Sequence, residues 1–424
     1  MSKLLRLKTG VLKKTLILIP AGLLFLTVLG APSPAGAEVL DLKACLDRAL
    51  ENSLAVKAAR ADVSVAEYRL KESKAAYYPV FATSYSYTRL DETPTATFSG
   101  QDFQIGTADN FSWEVTLTQP LFMGYRILTG ERLSRLGLEN ARLSVDLARL
   151  DLALAVKQAY FDVLLAQKQT LVADQAIRQL EAQVDVAENF FEVGMIPKND
   201  LLQVEVELAN AVQNKVLAEN NVSLAKARLN TILRRGIETP LEIKDVQEAA
   251  VKEPRLEPSL KIALKERAEM KQALVGSYKR TGDTAVVNGS EADNDPVDAS
   301  VTLSLNWTIW DWNARGHRVG ARKSEVVKAR HVLNQVKDGV VLEVKQALLN
   351  LASTKRNIEV NRKAIEQAEE SLRMSQERYQ EQVTTSTEVL DAQTRLSQAQ
   401  VSYYAALYGY YLAQAELRRA MGRM

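Results

Sequence analysis

Residue types able to make or break bonds are thin in this chain of 424 residues. It holds one cysteine, Cys45, and two histidines, His317 and His331. A lone cysteine cannot close an intramolecular disulfide, and no cysteine–histidine grouping has the spacing of a zinc site. Serine and aspartate are present, but none sits in a nucleophile elbow, a phosphate-binding glycine loop or a metal motif. His317 stands beside Arg315 and Arg318, a setting that suits a helix start at an interface better than a general base. The sequence reads as a non-enzyme with no cofactor or metal. What remains to it is the placement of charge and of surface.

The charge balance has to be read after the N-terminus. Lys3, Arg6, Lys8, Lys13 and Lys14 precede an apolar run over residues 16–29, and Ala35-Gly36-Ala37 then leads into Glu38. This is the layout of a secretory signal peptide over 1–37. A spanning anchor needs roughly 20 apolar residues, more than this run supplies. Loss of the leader removes those five cations and no anion, so the formal charge moves from +2 to −3. The basic excess belongs to the leader, and the electrostatic motive for binding nucleic acid goes with it.

The composition, 46% apolar and 25% charged, is that of a folded protein. Residues 138–193 and 340–408 contain neither Gly nor Pro and are dense in strong helix formers. Apolar side chains recur at three- and four-residue steps, as at Leu143, Leu147, Leu150 and Leu154, and at Val340, Val344, Ala347 and Leu351. Such runs predict coiled-coil packing. A helix of about 60 residues is roughly 90 Å long, too long for a compact globule.

The chain also repeats itself. An offset of 188 carries Val156-Lys157-Gln158-Ala159 onto Val344-Lys345-Gln346-Ala347, Leu202 onto Leu390, and Phe122 onto Trp310. Two structural repeats follow. The expected organisation is a leader at 1–37, a first repeat at 38–240 with a β-hairpin at 78–121 and a long helical hairpin, and a second repeat at 241–424 with a shortened helix, a β segment at 283–310 and a second helical hairpin. Leu260 is taken as the counterpart of Leu42, which leaves about 30 residues missing before the second β segment.

Residues 111–118 alternate Phe111, Trp113, Val115 and Leu117 with polar side chains, and 300–308 do the same with Val301, Leu303, Leu305 and Trp307. An earlier strand at 78–88 carries Phe81, Tyr85 and Tyr87 on one face and precedes a polar loop at 90–109. A half-buried sheet strand has this pattern, and so does a transmembrane barrel strand. A rod offers such a sheet little to pack against except lipid. No mature segment has 18 consecutive apolar residues, so any span must be β. One chain offers at most four strands, so closing a pore needs several chains.

These residues resemble the TolC-like outer-membrane efflux protein family. The likeness is carried by Gln119-Pro120-Leu121-Phe122-Met123-Gly124 and Ile309-Trp310-Asp311 at the strand-to-helix junctions. It continues in Phe191-Glu192-Val193-Gly194 with Asp200-Leu201-Leu202, and in Arg378-Tyr379 with Glu388-Val389-Leu390-Asp391-Ala392-Gln393. The resemblance implies a mainly α chain with a β membrane part. It implies a homotrimer whose 12-stranded barrel, about four strands per chain, sits in outer-membrane lipid and continues as a helical tunnel across the periplasm. It also implies an inner-membrane pump and a periplasmic adaptor as partners, in a tripartite efflux or type I secretion system.

By the same resemblance, Glu388 and Asp391 lie at the periplasmic gate, where threefold symmetry would make acidic rings that favour cations; as first-turn acids they are also what a helix dipole attracts. Asp200 and Tyr379 would link the two hairpins. Val193, Gly194 and Met195, with Val383, Thr384 and Thr385, would be the adaptor-docking turns. Gln382 stands where the first repeat has Gly194, predicting a less sharp turn, and Thr384 replaces a basic partner in the lock. Asn199 or Asp200, and the run 384–387, are expected to cap the returning helices. The alternative is a secreted periplasmic coiled-coil protein, which explains the helices but not the strands. Which pump and which cargo the sequence leaves open.

Overall fold

Two helices of 67 residues each, α3 (Arg126–Glu192) and α7 (Ala314–Gln380), run the length of the molecule. The computed structural model describes residues 38–246, 255–279 and 309–424. The expected leader at 1–37, the strand at 300–308 and the β segment at 283–310, apart from Ile309 and Trp310, lie outside the described residues. At 1.5 Å per residue each long helix reaches about 100 Å. Each folds back through a tight turn into a helix of 35 residues, α4 (Lys198–Ile232) and α8 (Ser386–Ala420). The returning helices bury small residues at seven-residue steps. These are Val204, Ala211, Ala218 and Ala225 on α4, and Ala392, Ala406, Ala413 and Ala420 on α8, where the half-buried Ala399 fills the step between the first two. A strict seven-residue repeat holds one seam toward the partner only if the helices supercoil left-handedly.

The helices lie side by side in the order α4, α3, α8, α7. Further along, α2 (Leu54–Ala75) and α6 (Ala268–Lys279) pack on α3 and α7 in place of α4 and α8. The result is a wall one helix thick. Among the described residues, α4 and α7 are the outermost helices of this order.

A collar thickens the wall midway. It comprises β1 (Glu38–Leu40) paired in parallel with β6 (Leu241–Ile243), and the helices α1 (Leu42–Asn52) and α5 (Leu256–Glu266). Asp41 caps α1 by accepting from the Ala44 amide at 2.7 Å. Cys45 and Ala49 on α1 are fully buried in one cluster with Val156 and Val163 of α3. The Tyr160 hydroxyl reaches across to the Lys244 carbonyl and so ties α3 to the β strands. On the other side Arg267, 4% exposed at its side chain, pairs with Glu343 at 2.6 Å and Glu269 at 2.8 Å. Arg419 reaches the same Glu343 at 2.7 Å. A buried guanidinium is tolerable only with its donors filled in this way.

The internal repeat holds down to the backbone. Shifting α3 and α4 by 188 positions reproduces the bounds of α7 and α8. Val156 and Val344, one offset apart, are both 0% exposed. Positive-φ residues pair by the same shift: Gly124 with Trp312, Tyr125 with Asn313, Gly194 with Gln382, and Arg234 with Gly422. The collar helices follow a shift of 214, which matches Leu42 with Leu256 rather than with Leu260. Leu42 to Arg126 covers 84 positions and Leu256 to Ala314 covers 58, so the second repeat is 26 residues shorter there.

The second reversal is as sharp as the first, contrary to expectation. Gly194 donates to Phe191 and Met195 to Phe190, and the matching amides of Gln382 and Val383 donate to Tyr379 and Arg378. Gln382 holds φ +62° to do so, against +73° at Gly194. The six-to-one bond in both turns is 2.8 Å, and the bonds closing the turn outweigh the side-chain clash. The cap of α4 differs from expectation, whereas that of α8 lies within the expected run. Pro197 and Thr385 occupy the N-cap positions of α4 and α8 without a side-chain cap bond, and Asp200 sits in the first turn. Proline pre-sets the extended entry, so no capping side chain is needed to start α4.

The left-handed conformation costs a side-chain-bearing residue about 1–2 kcal/mol. Gln382→Gly should therefore stabilise the helices, and Gly194→Ala destabilise them, each by about 1 kcal/mol. Thermal melts of helical circular dichroism in detergent will show midpoints moving in opposite directions.

Candidate functional site

At one end of the wall, β2 (Val80–Arg89) and β5 (Asp109–Thr118) form an antiparallel hairpin in continuous register from Val80↔Thr118 to Arg89↔Asp109. The register puts Phe81, Tyr85 and Tyr87 opposite Leu117, Trp113 and Phe111 on one face. The other face pairs Ala82 with Thr116, Ser84 with Glu114 and Ser86 with Ser112. The apolar face is uncovered: Phe81 and Trp113 are each 75% exposed. Tyr87 stacks on Phe111 at 4.8 Å, and the Ser86 and Ser112 hydroxyls meet at 2.7 Å. A ladder with one dry face turned outward and one hydrogen-bonding face is what a lipid-facing barrel wall requires. The segment expected as a polar loop at 90–109 contains two more strands, β3 (Thr95–Phe98) and β4 (Gln101–Gln104), joined at Ser99-Gly100. Both turn residues have positive φ, the geometry of a two-residue hairpin loop.

Aromatics crowd the junction between strands and helices. Leu121, Phe122 and Tyr125 in the first repeat, and Ile309, Trp310 and Trp312 in the second, stand exposed; Ile309 reaches 87%. Trp and Tyr collect where an apolar layer meets water. No described helix is long and apolar enough to cross a membrane. Nor do three or more metal-binding side chains come together among the described residues.

The far end carries the expected gate and docking residues. Val193, Gly194, Met195, Val383 and Thr385 form exposed tips, and Thr384 is partly covered. Glu388 and Asp391, one turn apart on α8, diverge. The Glu388 carboxylate turns toward α7, where Arg378 holds it at 2.9 Å and the Thr384 hydroxyl donates to it. Asp391 is exposed on the opposite side, in a groove with Gln203 and Glu207 of α4. Thr384, expected as a gap in the lock, is thus a ligand of Glu388, and Arg378 is the basic partner. Ten positions separate Arg378 from Glu388, so only the folded turn reveals the pair.

Tyr379 is buried at 3% exposure against Phe190 of α3, ring centroids 5.6 Å apart. It joins the two hairpins by packing, and its hydroxyl makes no hydrogen bond among the described residues. Burial, aided by the negative charge of Asp200, pushes its phenol above the ordinary range. Asp200 is near enough to be felt but is not bonded to it.

The sequence profile described as outer membrane efflux protein matches residues 45–235 and 272–423. The chain belongs to that family. It is an outer-membrane protein whose helical wall is the periplasmic part of an efflux channel. No curated protein matches the chain. Among solved structures, the outer membrane channel CmeC of Campylobacter jejuni is 17% identical, with TM-score 0.73 over 90% of this chain and 85% of that one. The outer-membrane channel OprN is 17% identical, with TM-score 0.78 over 90% of each chain. The outer membrane protein VceC of Vibrio cholerae is 14% identical, with TM-score 0.71 over 90% of this chain and 96% of that one. At such identities the likeness is one of fold.

A buried hydroxyl without a partner costs about 1–3 kcal/mol. Tyr379→Phe should accordingly keep the ring packing and raise stability by about 1 kcal/mol, read as a higher urea midpoint of the helical signal in detergent.

Proposed function

We propose that the chain assembles as a homotrimer into the exit duct of a tripartite efflux or type I secretion system. A periplasmic adaptor docks on its tips, and an inner-membrane pump drives cargo through it. The observation that carries this reading is the combination of a two-faced hairpin with a helical wall whose edges are unpartnered. One edge exposes Val206, Val216 and Leu224 on α4, and the other exposes Leu342, Leu349 and Val360 on α7. Apolar residues at both edges of a curved wall support closure by further copies of the chain. Three copies, each adding two described strands and two expected in the second repeat, give the 12-stranded barrel. A secreted coiled coil would have no use for the dry face of β2 and β5.

Within that duct the tips Val193-Gly194-Met195 and Val383-Thr384-Thr385 are the adaptor surface, and the gate lies just behind them. Asp391 contributes a free carboxylate, repeated by symmetry into an acidic ring. Glu388 contributes one tied to Arg378, so it joins the ring when α8 moves relative to α7. Tyr379 links the hairpins by packing on Phe190, and Asp200 adds its charge nearby. The division into two repeats is supported by the 188-residue shift of the helices.

Neutralising the acids by Glu388→Gln with Asp391→Asn should lower the cation preference of the purified channel in planar bilayers. Unchanged reversal potentials would remove the gate assignment. Bulky substitutions at Met195 and Val383 should abolish export while trimers still reach the outer membrane; normal export in such variants would move the adaptor elsewhere.

A further inference from the structure

A cavity of about 400 Å³ lies between α3, α4 and α8, behind the tips. Its floor is aliphatic, with Val172, Ala176, Leu180 and Ala211 among its residues. Amides and hydroxyls make the walls, and the carboxylate at its rim is Glu207. The cavity shares Glu207, Leu390 and Thr394 with the neighbouring groove that holds Asp391, so the two are continuous. No lysine, arginine or histidine lines either one.

The decisive group is Gln393. It is 6% exposed, it lines the cavity, and its Oε1 accepts no hydrogen bond from the described residues. Its amide nitrogen donates to the Ser397 hydroxyl at 3.3 Å, and the oxygen is the end left without a partner. Buried polar atoms are rarely left unpaired, because removing them from water without a partner is costly. The surroundings thus present an acceptor at depth, a carboxylate at the mouth with no cation lining the walls beside it, and an aliphatic floor between them.

We infer that this cavity is a binding site for a lipophilic ammonium, an organic cation whose N–H groups meet Gln393 Oε1 and the Glu207 carboxylate while its apolar body covers the floor. The volume suits a small drug-sized molecule. An organic anion would face uncompensated repulsion from Glu207 and Asp391. A bare metal ion would leave the aliphatic floor unused. A bound ligand would touch α3, α4 and α8 together, and so bridge the two helical hairpins. The site needs only the folded wall and does not rest on the export reading.

The probe is 4-phenylbutylamine, titrated calorimetrically into the full chain in detergent, with 4-phenylbutyrate and magnesium chloride in parallel. The amine should bind saturably, and 4-phenylbutyrate and magnesium should not compete with it. Glu207→Gln should weaken the amine about tenfold. Gln393→Leu, which keeps the shape and removes the acceptor, should do the same, and Ala176→Phe should abolish binding by filling the floor. Glu366→Gln, on the far side of α7, should leave it unchanged. If Gln393→Leu disturbs folding, the variant at the half-buried Glu207 still decides the matter. Binding of amine and carboxylate alike, wild-type affinity in Glu207→Gln and Ala176→Phe, or displacement by magnesium would each overturn the site.

Discussion

Everything in this molecule hangs on seams of small residues. A wall one helix thick cannot collect a core; each helix has only the stripes it turns toward its neighbours. Val204, Ala211, Ala218 and Ala225, with Ala392, Ala406, Ala413 and Ala420, let backbones approach closely along tens of ångströms. Each alanine buries little, so cohesion comes from repetition and from dispersion between closely packed backbones rather than from large side chains. Large residues appear where the wall needs a fixed point. Tyr160 and Phe161 do this at the collar, and Phe190 with Tyr379 do it where the hairpins meet.

The seam dictates the rest. Because 3.6 residues per turn does not match a seven-residue step, an ideal straight helix drifts about 20° per heptad, and the helices must coil to stay in contact. Coiled helices joined side by side form a curved wall. The same pairing leaves the outermost helices with apolar edges, and these make association with further copies favourable. The β-hairpin obeys a different rule. Its period of two yields a dry face and a wet one, and nothing in the helical part covers the dry face.

Much of this was legible in the residues. The absence of Gly and Pro from 138–193 and 340–408 placed the long helices, and alternation at 111–118 placed β5, which begins two residues earlier, at Asp109. The 188-residue shift anticipated the duplicated wall, and Val340, Val344, Ala347 and Leu351 all proved buried. Three things were hidden. The short strands β3 and β4 lie in a stretch whose polarity reads as loop, since four residues apiece are too few to display a period of two. The grip of Arg378 and Thr384 on Glu388 depends on a turn that brings residues ten apart into contact. The left-handed Gln382 defies its own preference and is explained only by the Gly194 turn that it copies. Gly422 is the reverse case: a Cβ there would meet the Arg267 backbone at 3.1 Å, whereas its counterpart Arg234 adopts the same hand.

A seam of near-identical alanines is also a ruler without markings. Slid by one heptad, small residues meet small residues again, so the seam itself barely opposes displacement. Alignment is imposed from its two ends, by the turns at Gly194 and Gln382 and by the collar around Val156 and Val344. The span between those fixed points is thereby free to vary in quanta. Adding seven residues to each of the four helices below the collar would lengthen the duct by about 10 Å while leaving every clasp intact. A duct built this way can be matched to periplasms of different depth without redesigning either end.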